Sequence, residues 1–207
     1  MNYALVIYHK NVEKYPKEWI DRFILSLEDQ TDQDFEVFEL NYGGKTNSIL
    51  EGKFIDRKKF YYNKFKDHAD AMNYIYNIAF QNNDIVFNTN CDDYYSPKRI
   101  SIQKKWLEKY DIVSSNYVKM MDDGQQHILK LSEFKLSELF EGHNIISNPC
   151  HAMHRKVFEK QKFDGSLIPF EDLEYWKLAL KNNFSIGIVP EELHFYRVYE
   201  SQIGKTK

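Results

Sequence analysis

Strand patterns alternate with helical patterns through the first half of the chain, and this alternation limits the fold more than any other feature. Residues 3–8 form an apolar, β-rich run, and residues 35–40 alternate between apolar and polar side chains. Between them, Pro16 opens a segment in which apolar residues recur at helical spacing. A second helical segment, residues 67–80, precedes a third strand pattern at residues 84–87. This order predicts an α/β fold whose mainly parallel central sheet is flanked by helices.

The second half of the chain is less regular. Residues 53–66 are basic and poorly patterned, and they predict a loop with at most a short strand. The later patterns predict a helix at residues 97–109, a strand at 111–118, and a hairpin turn at 122–124 that leads into a second strand at 126–131. They then predict a helix at residues 171–182 and two short strands at 185–189 and 194–198.

Length and charge exclude several classes of protein. The 207 residues suffice for one well-buried domain and are too few for two ordinary ones. The 28 basic and 31 acidic residues give a net charge of −3, so we expect no nucleic-acid partner. No stretch approaches the roughly 20 apolar residues of a membrane span. Cys91 and Cys150 lie far apart and form no CxxC pattern, which favours free thiols and a cytoplasmic location.

A polar turn, Asn90-Cys-Asp-Asp93, follows the third predicted strand. Ligands of open parallel sheets bind outside the carboxyl ends of the strands, where this turn would lie. Carboxylates there can hold a hard divalent cation, and Mg²⁺ is usually held by one or two of them together with substrate phosphates. On this turn alone, however, the simpler interpretation is that Asp92 and Asp93 cap the following helix and stay solvated.

A second acidic pair, Glu171 and Asp172, stands at the start of the last predicted helix, beside Phe170 and Trp176. A carboxylate that is partly shielded from water can have a pKa suited to removing a proton from a substrate hydroxyl. Acidic residues in a first helical turn also interact favourably with the helix dipole, and on these residues alone that explanation is the simpler one.

Together these segments resemble the family 2 inverting glycosyltransferases with the GT-A fold, over nearly the whole chain. Residues 90–93 are similar to that family's Asp-x-Asp-Asp signature, and residues 19–31 resemble its first helix and Ser-Leu-x-x-Gln-Thr turn. Residues 171–172 resemble its Glu-Asp motif, and residues 190–201 resemble its closing segment. The resemblance implies a single GT-A domain, alone or within a longer protein, in which residues 1–100 bind a nucleotide sugar and residues 101–207 bind the acceptor.

The resemblance also implies roles for individual residues. Asp92 would hold Mn²⁺ or Mg²⁺ on the diphosphate of a nucleoside-diphosphate sugar, with a UDP-linked sugar as the expected donor. Asp172 would be the general base that deprotonates a hydroxyl of a glycan or glycoprotein acceptor, and Glu171 would position it or bind the acceptor. The residues implied in donor binding are Tyr8, Asn41, His68, Asn73, Asn90 and Arg197.

Three residues depart from the family's pattern. Asn41 stands where an aspartate often reads the nucleotide base, and Asn90 replaces the first aspartate of the signature, which removes one negative charge. Tyr199 stands where a histidine is common, shortly before Ser201, which matches the family's serine. An amide can both donate and accept hydrogen bonds, so Asn41 could still pair with the edge of uracil.

Two other functions remain open at the level of sequence. A nucleotidyltransferase shares the sheet topology and a metal–diphosphate site, but its Gly-rich loop after the first strand has no counterpart, because residues 9–13 contain no glycine. The departures at Asn41, Asn90 and Tyr199 are also compatible with a degenerate module that binds sugar nucleotides or glycans without turning them over.

Overall fold

The computed structural model describes residues 1–44 and 47–199. Within these ranges the strands are β1 (Tyr3–His9), β2 (Glu36–Asn41), β3 (Lys58–Tyr62), β4 (Ile85–Thr89), β5 (Tyr94–Tyr95), β6 (Ile112–Met121), β7 (Gln126–Leu129), β8 (Ala152–His154) and β9 (Ile186–Val198). The helices are α1 (Lys17–Glu28), α2 (His68–Ala79), α3 (Arg99–Leu107), α4 (Arg155–Lys160) and α5 (Glu171–Lys181), joined in places by short 3₁₀ turns.

The strands of the described ranges form one nine-stranded sheet in the order β3-β2-β1-β4-β8-β6-β9-β5, with β7 paired to β6. Strands β1 to β4 pair in parallel, as the alternating patterns of the first half predict. Strand β8 lies antiparallel between β4 and β6, while β6 and β9 are again parallel. The predicted α/β class and the parallel pairing of β1 to β4 are confirmed. The rest of the sheet combines parallel and antiparallel pairs.

Hydrophobic layers cover both faces of the sheet, which explains why β1 is apolar at consecutive positions. Val6 packs with residues of α2 and α5 on one face. Leu5 and Ile7 pack with residues of α1 and α3 on the other. Since side chains alternate along a strand, a strand buried on both faces needs an uninterrupted apolar run.

The helix starts follow the predicted signals. Helix α1 begins directly after Pro16. The side chain of Asp67 caps α2 by accepting a hydrogen bond from the Asp70 backbone N–H at 3.0 Å. No helix within the described ranges combines the length and apolar character that crossing a membrane would require.

The final strand differs from the prediction. The two short strands expected around Pro190 are one continuous strand, β9. Its pairing with β6 shifts register here, so that Ser115 lies opposite Val189 while Asn116 lies opposite Glu192. A β-bulge accommodates a proline because the bulged residue needs no ladder N–H. The predicted hairpin is confirmed by β6 and β7, whereas the short elements β5, β8 and α4 were not predicted.

Candidate active site

A cleft of about 970 Å³ opens beyond the carboxyl ends of β1 and β4. Residues from both halves of the chain line it. Six of the residues singled out from sequence are on its walls: Tyr8, His68, Asn90, Asp92, Glu171 and Asp172. The two acidic pairs therefore each contribute to one cleft, although 80 residues of sequence separate Asp92 from Asp172.

Asp93 anchors the acidic turn to β9. It is 0% exposed, and its Oδ2 is hydrogen-bonded to His194 Nε2 at 2.9 Å. Its Oδ1 accepts the backbone N–H of Arg197, also at 2.9 Å. Burial raises the pKa of Asp93 and lowers the pKa of His194, so it favours the neutral form of both side chains. Asp93 thus fixes the turn and leaves its neighbour to face the cleft.

We expect Asp93→Ala to lower the free energy of unfolding by about 2–4 kcal/mol, because it leaves His194 Nε2 and the Arg197 backbone N–H without their buried hydrogen-bond partner, at a cost of roughly 1–3 kcal/mol each. Urea denaturation followed by tryptophan fluorescence measures this loss. Asp122→Ala, in an exposed turn, is the matched control and should stay within about 0.5 kcal/mol of the parent protein. Equal midpoints for the two variants would show that Asp93 is not an anchor.

Asp92 presents its carboxylate to the cleft. Its Oδ2 accepts a hydrogen bond from the Tyr199 hydroxyl at 2.9 Å. Burial raises the pKa of Asp92 to about 7, so the fold disfavours the ionised form that a metal ion would bind. A cation at this carboxylate would offset that cost.

Asn90 supplies a second oxygen at the same turn. Its backbone N–H donates to the Tyr95 hydroxyl at 2.8 Å, while its side-chain Oδ1 is buried and has no hydrogen-bond partner among the described residues. A buried, unsatisfied amide oxygen is costly unless a ligand satisfies it. Hard cations take carboxylate and amide oxygens, so Asn90 and Asp92 fit a divalent ion.

The donor set is too small for an all-protein metal site. In residues 1–44 and 47–199, no group of three or more His, Cys, Asp or Glu side chains could hold a metal ion. Mg²⁺ and similar ions are often held by one or two carboxylates, with the remaining ligands supplied by water and substrate phosphates. The arrangement therefore fits an ion shared with a bound diphosphate.

Asp172 lies in the first turn of α5. Its Oδ1 accepts the Leu173 backbone N–H, and its Oδ2 accepts the side-chain amide of Asn144, both at 2.7 Å. Burial, followed by the neighbouring Glu171, raises the pKa of Asp172 to about 6. A carboxylate with that pKa is mostly ionised at neutral pH and is a stronger base than an ordinary aspartate, as general-base catalysis requires.

Glu171 faces His68 across the cleft. Its Oε1 lies 2.5 Å from His68 Nε2. Burial, the largest single influence, would raise the pKa of Glu171, but the hydrogen bond and the charge of His68, together with a backbone hydrogen bond, outweigh it and lower that pKa. Burial would likewise lower the pKa of His68, yet Glu171 raises it. The two shifts favour an imidazolium–carboxylate ion pair.

Comparison with known proteins identifies the family. Residues 5–161 match the family described as Glycosyl transferase family 2. The chain belongs to this family. An uncharacterized glycosyltransferase of Methanocaldococcus jannaschii is 26% identical over 214 residues, which cover 94% of this chain and 71% of that protein.

Solved structures share the fold of this family 2 glycosyltransferase. S. aureus TarS 1–349 in complex with UDP-GlcNAc superposes with a TM-score of 0.76 at 15% identity, covering 100% of this chain and 61% of that one. A mannosyltransferase from Pyrobaculum calidifontis in complex with GDP-Man and Mn²⁺ has a TM-score of 0.71 at 12% identity, covering 98% and 58%. The chain thus spans less than two thirds of the length of these two solved structures.

Two residues predicted to bind the donor of the glycosyltransferase do not line the cleft, because their amides have structural contacts. Asn73 Nδ2 donates to the Phe163 carbonyl at 2.8 Å, and Asn73 Oδ1 accepts the Phe163 N–H at 3.0 Å. Asn41 is 1% exposed, and its Oδ1 accepts the Gly43 N–H at 3.0 Å, which shapes the turn after β2. Both amides therefore support local structure, and their contacts with the donor stay predictions.

Arg197 is a third predicted donor ligand that does not line the cleft. Its Nη1 donates to the Asp92 carbonyl at 2.7 Å, and its guanidinium lies 5.0 Å from the Trp19 ring centroid. The arginine therefore supports the backbone of the acidic turn, and its contact with the diphosphate stays a prediction.

Sequence reasoning missed an aromatic cluster at the cleft. Tyr15 and Trp19 stack at 6.3 Å between ring centroids, and Tyr199 packs against them at 6.2 and 5.2 Å. Tyr199 was noted only as a departure from the family, because no local pattern joins the two ends of the chain. Ser201, the serine of the predicted closing segment, lies outside the described residues.

Proposed function

We propose that this glycosyltransferase moves a sugar from a nucleoside-diphosphate sugar, with UDP as the expected nucleotide, to a hydroxyl of a glycan or glycoprotein acceptor. Transfer inverts the anomeric centre and depends on Mn²⁺ or Mg²⁺. The observation that carries the proposal is that one cleft contains both a metal-compatible turn, at Asp92, and a shielded carboxylate with the pKa of a base, at Asp172.

The donor side of the cleft suits a nucleoside diphosphate. Tyr8 and Tyr42 line it with aromatic surface that can contact a nucleoside. The ammonium group of Lys10 lies 5.7 Å from the Tyr42 ring centroid, and Lys14 is also on the wall. Positive side chains beside an aromatic surface complement a ligand that combines a base with a diphosphate.

Asp92 and the Oδ1 of Asn90 would hold the divalent ion. When bound, such an ion acts as a Lewis acid that stabilises the negative charge of the leaving diphosphate. The mannosyltransferase solved with GDP-Man and Mn²⁺ supports metal use in this fold, and TarS solved with UDP-GlcNAc supports a UDP-linked donor.

Asp172 performs the proton transfer. As the acceptor oxygen forms its bond to the anomeric carbon, the bond from that carbon to the diphosphate oxygen breaks on the opposite face, which inverts the centre. The Oδ atoms of Asp172 take the hydroxyl proton in the same step. The Asn144 amide donates to Oδ2 and thereby orients the carboxylate. The products are the new glycoside and a nucleoside diphosphate.

Cys91 and Cys150 are buried and free, which supports the proposal of a reducing, cytoplasmic location.

Isothermal titration calorimetry with UDP-GlcNAc, UDP-glucose and GDP-mannose, each with and without Mn²⁺, tests the function. We expect one nucleotide sugar to bind in a Mn²⁺-dependent way and to release nucleoside diphosphate slowly. Release of pyrophosphate from a sugar phosphate and a nucleoside triphosphate would instead identify a nucleotidyltransferase. Donor binding without either product would identify a binding module.

A further inference from the structure

His68 and Glu171 join the two halves of the domain across the cleft. His68 is the first residue of α2, Glu171 is the first residue of α5, and their side chains meet at 2.5 Å between Nε2 and Oε1. The side chains are only 19% and 7% exposed, respectively. An ion pair this shielded is held far more firmly than one on the surface.

The second oxygen of Glu171 is unused. Its Oε2 is buried and has no hydrogen-bond partner among the described residues, whereas Oε1 is bound by His68. Leaving a buried carboxylate oxygen unsatisfied is costly, so such an atom in a native site indicates a missing donor. Because Glu171 lines the cleft, a bound substrate can supply that donor.

Asp172 is the next residue on the same wall, so a substrate whose hydroxyl reaches Asp172 also passes Glu171. The other titratable groups that act on the His68–Glu171–Asp172 cluster are Asp67, which caps α2, and the phenols of Tyr8 and Tyr196. Burial raises the pKa of both tyrosines, so they remain neutral. His68 is the one cation among these groups.

We infer that His68 is a positioning residue, which holds Glu171 as an oriented anion so that Oε2 accepts a hydrogen bond from a second acceptor hydroxyl, beside the one that Asp172 deprotonates. This inference rests on the proposed function and narrows the acceptor class. The site takes a polyhydroxy acceptor, such as a sugar with neighbouring hydroxyl groups, in preference to an isolated hydroxyl on a serine, a threonine or a simple alcohol.

The acceptor class is tested by stimulation of donor turnover. Methyl glycosides of glucose, galactose and mannose are compared with ethanol and with N-acetylserine amide at equal concentrations, using the nucleotide sugar that calorimetry selects. We expect a glycoside to stimulate release of nucleoside diphosphate and the two single-hydroxyl probes not to do so. Equal stimulation by the single-hydroxyl probes, or none by any glycoside while donor still binds, would overturn the inference. Absence of donor binding would instead count against the proposed function.

Variants test the role of His68. Glu171→Gln and His68→Gln should raise the KM for the glycoside roughly tenfold or more, the worth of a hydrogen bond to a charged group. His68→Gln keeps a donor but removes the cation, so the Glu171–Asp172 pair takes up a proton at higher pH and the acid limb of kcat/KM moves upward. Glu171→Gln removes an anion beside Asp172 and moves that limb downward.

A structural role for His68 would not produce these opposite shifts. His127→Gln, on the exposed strand β7, is the matched control and should leave the profile in place. His68→Lys restores the cation and should return the acid limb of the kcat/KM profile toward that of the parent. This second variant keeps the test decisive if His68→Gln folds poorly. Nuclear magnetic resonance gives a readout independent of turnover, because Glu171→Gln should lower the pKa of the His68 imidazole. An unchanged His68 titration and an unmoved acid limb would refute the positioning role.

Discussion

Asp172→Asn lowers kcat by about 10²–10⁴-fold, the usual contribution of a general base, while the nucleotide sugar still binds. The substitution keeps the shape of the side chain and removes its ability to take a proton. In the parent protein, kcat/KM should fall as the pH drops through about 6, because the protonated form of Asp172 cannot act as a base. The variant should show no such dependence at this residue.

The measurement combines steady-state release of nucleoside diphosphate with calorimetry of donor binding. Asp123→Asn, at the β6–β7 turn, is the matched control, since its exposed side chain accepts a hydrogen bond from the nearby Gln125 N–H and does not line the cleft. Parent-level transfer by an Asp172→Asn protein that binds donor would show that another group is the base.

Asp92→Asn should lower metal-dependent turnover at least 10²-fold, since Lewis-acid stabilisation of the leaving group is worth several kcal/mol and each 1.36 kcal/mol is tenfold in rate.

The same variant should be more resistant to unfolding in metal-free buffer at pH 8. The pKa of Asp92 is about 7 in the folded protein, well above that of an unfolded aspartate. Its ionisation therefore destabilises the fold progressively as the pH rises from about 4 to 7, and the destabilisation is complete above 7.

Thermal unfolding of Asp92→Asn and of the parent protein at pH 4 and pH 8 tests the prediction about stability. The variant should exceed the parent in melting temperature by more at pH 8 than at pH 4. Asp93→Ala provides the contrast between neighbours, because it is expected to lose stability. Two results would contradict the role of Asp92 as a cation ligand whose ionised form destabilises the fold. They are a loss of stability in Asp92→Asn at pH 8 and metal-dependent turnover equal to that of the parent.

The first half of the fold could be predicted because its signals are local. Strands β1 and β4 carry their own apolar runs, β2 carries an alternating pattern, and Pro16 and Asp67 mark helix starts. Strand β8 has only three residues and owes its place to pairing with β4 and β6, which no local pattern encodes. Pro190 looked like a strand break, whereas a register shift against β6 carries β9 past it.

The acidic residues of the site could be placed by their position after a strand or at a helix start, together with the family's order of motifs. The residues that form hydrogen bonds with these acidic side chains could not be placed in this way. Glu171 is 103 residues from His68, and Asp93 is 101 residues from His194. The family resemblance singles out Asp92, but only the fold shows the physical reason, which is that Asp93 is fully buried and Asp92 faces the cleft.

The Asp93–His194 pair has a consequence for how the enzyme responds to acidity. Burial raises the pKa of Asp93 and lowers that of His194, so both side chains favour their neutral forms near neutral pH. Asp92, with a pKa of about 7, and Asp172, with a pKa of about 6, titrate near neutral pH. A change of pH near neutrality therefore alters the charge of Asp92 and Asp172, while the neutral Asp93–His194 contact continues to hold the acidic turn against β9.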